Sequence, residues 1–257
     1  MPVSGPAQHT EPVFASALRA PVSHLVFWTT AVAALALDLW SKAWAFSTLA
    51  PHDERLIIPG WLTFRRSLND GAVFGSFTGY VGVFVVASLA ALLFVLFLFA
   101  RSGRRQYVLH LALGGILAGA LGNLYDRAFM QADVVRMARA GEWQTEMIGL
   151  VAPDSTESTL RVGVFPEGTH AQSFPRAEVR LHRQGVVRDF IKFVPRFPAW
   201  VPRMAGRDVW PWVFNVADSA LVCGVIVMLL SSWKEPGKAA RRVGDASRKT
   251  GHNATAS

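Results

Sequence analysis

The chain has 257 residues, of which 51% are hydrophobic and only 17% charged, with a mean hydropathy of +0.28; ordinary soluble domains carry about a quarter of their residues charged, so this composition argues against one. A net charge of +8 would suit a nucleic-acid binder, but beside apolar blocks it reads as the Lys and Arg excess of membrane-protein cytoplasmic segments, and no nucleic-acid partner is expected. The single cysteine, Cys223, excludes an intrachain disulfide and leaves no cysteine cluster for zinc, so no metal and no cofactor are expected.

In chain order, residues 1–20 contain Pro2, Pro6 and Pro12 among small and polar residues and are predicted to be a disordered cytoplasmic N-terminus. Four apolar blocks follow, at about 21–46, 77–100, 106–126 and 209–233, each near the ~20 residues that cross a bilayer. The fold class they predict is an all-α membrane protein with four transmembrane helices. Ala43-Trp44-Ala45 resembles a signal-peptide cleavage site, but Asp38 and Lys42 just before it, and the length of the block, favour a retained span. Arg101, Arg104 and Arg105, and the Lys and Arg residues of the 234–257 tail, belong in the cytoplasm by the positive-inside rule. Both termini are then cytoplasmic, and the 48–76 and 129–208 segments lie outside. The basic 234–257 tail is expected to lie near anionic head groups.

Carboxylates inside spans are costly and usually functional. At about 1.5 Å rise per residue, Asp38, Asp126 and Asp218 stand roughly 25, 30 and 22 Å from the cytoplasmic ends of their blocks. They converge towards the outer leaflet. Asn123, Asp126 and Arg127 share a helix face, as do Asn215 and Asp218, while Asp38 and Lys42 have favourable i, i+4 ion-pair spacing. For Asp38, Lys42 and Asp126, polar contacts that merely join helices remain an equal alternative. Asp218, with no cation nearby in sequence, points more strongly to a site. Gly115, Gly119 and Gly122 line one face, where a neighbouring helix can approach. His24 and His110 have no Ser or Cys partner and read as packing residues.

Five motifs occur in order: Asp38-Leu-Trp-Ser-Lys42, Asn69-Asp-Gly71-Ala72-Val-Phe74-Gly75, Gly122-Asn123-Leu-Tyr-Asp126-Arg127, Val187-Arg-Asp189-Phe190-Ile191 and Phe214-Asn215-Val-Ala217-Asp218. Together they resemble the lipoprotein signal peptidases (signal peptidase II) over most of residues 21–233. The resemblance implies an intramembrane aspartic protease with a small extracytoplasmic β-rich cradle. Such an enzyme cuts diacylglyceryl-modified prolipoproteins before the lipid-bearing cysteine. It implies Asp189 and Asp218 as the catalytic pair, and Asn69, Gly71, Asn123, Arg127 and Asn215 as residues that bind substrate or orient that pair. Asp38, Lys42 and Asp126 match supporting positions. Two nearby carboxyls share one proton, which suits one to act as base and the other as acid. The implied partners are diacylglyceryl-prolipoprotein substrates and membrane lipids, with a monomer expected, in the bacterial cytoplasmic (inner) membrane.

Two features depart from that family. The family's connection from its Asp-Arg motif to its Asp-Phe motif is short, so residues 129–184 read as an insertion. Leu160 to Phe165 and Glu178 to His182 alternate like strands, which predicts an extracytoplasmic appendage with some β structure. Arg188 stands where the family has an apolar residue, and its side chain is expected to point to head groups or solvent. A small transporter or channel, or an inactive membrane scaffold, are the rival functions; the clustering of charges at one end and the presence of both aspartates weigh against them.

Overall fold

The computed structural model describes residues 16–51, 53–71, 81–139 and 141–233. Positions 1–15 of the expected disordered N-terminus, Ala72, Phe74 and Gly75 of the second motif, and the basic tail from residue 234 onwards lie outside the described residues.

The described residues form four α-helices and nine strands. The order is α1 (Pro21–Thr48), β1 (Arg55–Ile58), β2 (Leu62–Asn69), α2 (Val81–Arg101), α3 (Tyr107–Phe129), β3 (Gln131–Arg139), β4 (Glu142–Val151), β5 (Thr159–Val164), β6 (Thr169–Pro175), β7 (Val179–Gly185), β8 (Val187–Phe193), β9 (Val213–Phe214) and α4 (Val216–Trp233). The strands make two antiparallel sheets, one of four strands in the order β1-β2-β8-β9 and one of five in the order β6-β5-β4-β3-β7.

This overturns the all-α, four-span expectation: the protein is α plus β. Among the described residues, Pro21–Thr48 and Tyr107–Phe129 are long and apolar enough to cross a membrane. The physical reason is clear at the last block. Hydropathy merges Val209 to Phe214 with the helix that follows, but Val213 and Phe214 pair with Lys192 and Ile191 as a sheet edge, so the helix starts only at Val216.

Each layer is held by its own apolar core. Phe27, Ala31, Phe99, Leu113 and Leu117 pack the helices together, with Phe27 and Phe99 stacked at 4.3 Å. α3 lies between α1 and α4. Its glycine face permits this: a Cβ on Gly119 would meet the Ala217 carbonyl and the Leu221 side chain, and one on Gly122 would meet the Asp38 carboxylate. Val135, Leu160, Val162 and Phe174 form the core of the five-stranded sheet. A third cluster joins the two sheets to the end of α1 through Phe46, Leu49, Ala132, Phe165, Val186 and Phe190. Strands β5 and β7 coincide with the two alternating stretches read within residues 129–184. Their alternation arises because Leu160 and Val162 of β5, and Val179 and Leu181 of β7, turn to the core of the five-stranded sheet.

Arg66 fastens the same junction. Its guanidinium donates to the carbonyls of Phe46, Leu49 and Phe165 and pairs with Glu167. Glu167 is half-exposed, so the ion pair itself contributes little, but the bonds to carbonyls are shielded. Arg66→Met is therefore expected to cost about 2 kcal/mol, read as a lowered Tm in thermal unfolding.

Candidate active site

Asp218 is placed by a reciprocal cap. Asn215 immediately precedes α4, and its side-chain oxygen accepts from the Asp218 N–H at 2.9 Å, while the Asp218 Oδ2 accepts from the Asn215 N–H at 3.2 Å. This is a capping box with Asn and Asp in the two roles. It puts the Asp218 carboxylate in the first turn, where the helix dipole favours negative charge. Asn123 on α3 donates to the other Asp218 oxygen at 2.8 Å.

Asp189 lies in β8 and is 2% exposed. Strand β2 runs antiparallel beside it, with Ser67 opposite Asp189 and Asn69 opposite Val187. The Asn215 Nδ2 donates to Asp189 Oδ1 at 2.6 Å, and the Asn69 Nδ2 approaches Oδ2 at 3.3 Å. Asn215 therefore touches both carboxyls. Burial first, and the nearby Asp218 charge second, together raise the Asp189 carboxyl to about 8, against the opposing donations of Asn215 and Asn69 and the charge of Lys42. Among the described residues, neither Asp189 nor Asp218 forms a salt bridge.

The other carboxylates differ in kind. Lys42 contacts Asp38 at 2.8 Å, Asp126 at 3.4 Å and the Asn123 oxygen at 3.0 Å, with all three ionic side chains buried. Asp38 also accepts the Ala217 N–H at 2.8 Å, tying α1 to the start of α4. Asp126 is matched by a second cation: Arg188 donates to it from Nε and from Nη2, at 2.7 Å for the latter, and its backbone N–H donates at 2.9 Å. Both oxygens of the Asp126 carboxylate are thus taken up by Lys42 and Arg188, which join α1, α3 and β8.

Arg188 thus corrects the expectation that it faces head groups or solvent. Successive side chains leave opposite faces of a strand; with Asp189 turned to Asn215, Arg188 is turned to α3 and buried there. Nothing in the local sequence signals this partner, which lies 62 positions away.

Of the remaining residues, Arg127 on α3 interacts electrostatically with Asp189, Asp70, Asp218 and Asp126. Gly71 has φ +92°, a conformation natural to glycine, and its N–H donates to the Asn69 side-chain oxygen at 2.9 Å. The structure therefore gathers Asn69, Gly71, Asn123, Arg127, Asn215, Asp38, Lys42 and Asp126 around Asp189 and Asp218. Sequence reasoning missed the capping role of Asn215, whose signal was the Asn-x-x-Asp spacing before an apolar run. It also missed Asp70 and the two residues that bond to it from separate strands, Thr145 and Gln184.

Beside the pair, an apolar hollow of about 560 Å³ is lined by Ile58, Trp61, Leu62, Ile191, Phe193 and Phe214 and reaches Ser219. Its walls include the second residue after Asp189 and the residue after Asp218. Arranged this way, a buried protonated carboxyl and a carboxylate at a helix start can pass a proton in each direction across a bond held between them.

Comparison with known proteins agrees with this chemistry. Residues 30–234 match the model of the Peptidase_A8 family, signal peptidase (SPase) II. A lipoprotein signal peptidase of Rhodopirellula baltica is 31% identical over 90% of this chain and 82% of its own length. One from Streptomyces coelicolor is 31% identical over 81% of this chain and 71% of its own. A solved structure described as a bacterial membrane enzyme, obtained by the in meso method, aligns with TM-score 0.50 and 21% identity over 83% of this chain and 94% of that one, a likeness of fold.

Proposed function

The chain belongs to the signal peptidase II family of bacterial membrane aspartic proteases, which remove signal peptides from prolipoproteins, and from that premise we propose that Asp189 and Asp218 are its catalytic pair and that its substrates are diacylglyceryl-modified prolipoproteins cut before the lipidated cysteine. The observation that carries the assignment is the division of the four aspartates of α1, α3, β8 and α4 into two kinds. Asp38 and Asp126 are neutralised by Lys42 and Arg188. Among the described residues, Asp189 and Asp218 accept hydrogen bonds from amide groups and form no salt bridge, and they share Asn215.

In this reading Asp218 carries the charge and Asp189 the proton. The Asp218 carboxylate takes a proton from water as the water oxygen attacks the scissile carbonyl carbon. The Asp189 hydroxyl donates to the carbonyl oxygen as negative charge develops there. Collapse of the tetrahedral species breaks the C–N bond, and the proton gained by Asp218 passes to the departing amine of the cysteine. As the carbonyl re-forms, its oxygen returns the proton to Asp189, so Asp218 is again the carboxylate and Asp189 the acid. Asn69, Asn123 and Asn215 orient the carboxyls, and Arg127 tempers their mutual repulsion.

The apolar hollow next to both aspartates supports a lipid-bearing substrate, because it can receive an alkyl chain while the peptide bond lies at the pair. The reading also places the site towards the outer leaflet of a multi-pass protein, with the Arg101 to Arg105 turn on the cytoplasmic side. The transporter and inactive-scaffold alternatives are not favoured.

The test is cleavage of a diacylglyceryl-modified prolipopeptide by the purified protein, with mass spectrometry of the products. A product beginning at the lipidated cysteine is expected; cleavage elsewhere, or equal cleavage of the unlipidated peptide, would refute the substrate assignment.

The pH dependence follows from Asp189. Its carboxyl must be protonated to act as the acid, so kcat/KM should fall as the pH rises through about 8. Stability follows the same sign. The folded value lies above the ordinary 3.8, so the folded state binds more protons, and the contribution present in full below about pH 3.8 is lost progressively as the pH climbs to about 8. A pH–rate profile still rising above pH 9 would remove Asp189 from the acid role.

A further inference from the structure

We propose that Asp70 is a positioning residue through which the five-stranded sheet of residues 131–185 sets the Asn69 amide against Asp189. The inference rests on the catalytic pair proposed above. Asp70 sits between Asn69 and Gly71 and is 5% exposed. Three strands of the sheet reach it, each with one side chain. Thr145 on β4 donates to Asp70 Oδ2 at 2.9 Å. Arg136 on β3 places its Nη2 3.7 Å from the same oxygen. Gln184 on β7 donates to the Asp70 carbonyl at 3.2 Å. These three converge because β3 lies between β4 and β7, with Arg136 paired across from Thr145.

On the other side of Asp70 the chain turns at Gly71, whose N–H fixes the Asn69 side-chain oxygen. That bond leaves the Asn69 Nδ2 directed at Asp189. The path from the sheet to the reacting carboxyl is therefore short: strand side chains hold Asp70, Asp70 holds the turn, and the turn aims the amide.

A purely structural role is a poor explanation. The Arg136 Nε and Nη2 are buried without a hydrogen-bond partner, so the ion pair with Asp70 has imperfect geometry. Apolar residues would join sheet to loop at lower cost than a buried, imperfect pair. The directional contacts are those of Thr145 and Gln184, and both bear on the residue beside Asn69.

The test uses neutral substitutions in the full-length protein, Thr145→Val with Gln184→Leu. They leave in place every charged group facing Asp189: Asp218 from α4, Lys42 from α1 and Arg127 from α3. Any change in the titration of Asp189 then reports the Asn69 amide. Two readouts are taken, cleavage of the lipidated prolipopeptide and a carbon-13 NMR titration of labelled aspartate carboxyls, with Asp189 assigned from its Asn variant. The expected results are a kcat lowered about fivefold at a KM within about twofold of the parent, and an upward shift of the Asp189 titration as a donor to its carboxylate is lost. A folded variant with unchanged kcat and unchanged titration would overturn the proposal; Thr145→Val alone serves if the double variant does not fold. The titration needs no turnover, so an inactive parent protein would refute the protease reading while the positioning role was still decided by the carboxyl shift.

Discussion

Asp218→Asn is expected to lower kcat by about 10⁴-fold, and Asp189→Asn by about 10³-fold, with both proteins folded and substrate binding little changed. The two differ because an amide mimics only one of the two carboxyls. Asn at 218 cannot take a proton from water, so the base is lost outright. Asn at 189 retains an N–H donor for the carbonyl oxygen and loses only proton transfer, and its residual activity should lack the fall near pH 8. Asp126→Asn is the informative contrast. Asp126 pairs with Lys42 and Arg188, so its loss should lower the Tm more than it lowers kcat. The measurement is single-turnover cleavage alongside thermal unfolding for the three variants. If Asp126→Asn were as inactive as Asp218→Asn while keeping the parent Tm, the division of the aspartates into catalytic and supporting kinds would be wrong.

That division was only partly legible in the sequence. Asp38 and Lys42 could be paired from their spacing, because both stand on one helix and the i, i+4 geometry is local. Asn215 and Asp218 were recognised as neighbours, yet as members of one helix face. The same three-residue spacing in fact makes a cap, since the helix begins one residue after Asn215. Hydropathy could not show this. The apolar run is continuous through Val213 and Phe214, and only pairing with β8 decides that they are strand. The Arg188 to Asp126 pair and the Asp70 contacts lie further from reach. They join residues that are distant in the chain, and no spacing rule connects a strand side chain to a helix built 62 positions earlier. The five-stranded sheet shows the intermediate case: alternation revealed two of its strands, while the order of all five depends on long-range register.

Lys42→Met should be the most destabilising single change in the helical region, costing about 3–5 kcal/mol because it strands buried carboxylates without their cation. Lys42 is 0% exposed and meets Asp38, Asp126 and Asn123 together. Arg188 still accompanies Asp126 after the substitution, so the greater part of the cost falls on Asp38. The Asp38 Oδ1 must remain an acceptor, since it holds the Ala217 N–H at the start of α4. This predicts how the damage can be repaired. Adding Asp38→Asn removes the stranded charge, retains the acceptor and should recover more than half of the lost Tm. Adding Asp38→Leu removes the charge but orphans the Ala217 N–H, and should recover less. The two double variants also separate stability from chemistry. Ala217 lies one residue before Asp218, so loosening its N–H displaces the capping turn that holds the carboxylate. Lys42→Met with Asp38→Leu should therefore lose more kcat than Lys42→Met with Asp38→Asn, even when both are assayed well below their Tm. Equal Tm and equal kcat in the two double variants would show that the bond from Ala217 to Asp38 positions nothing.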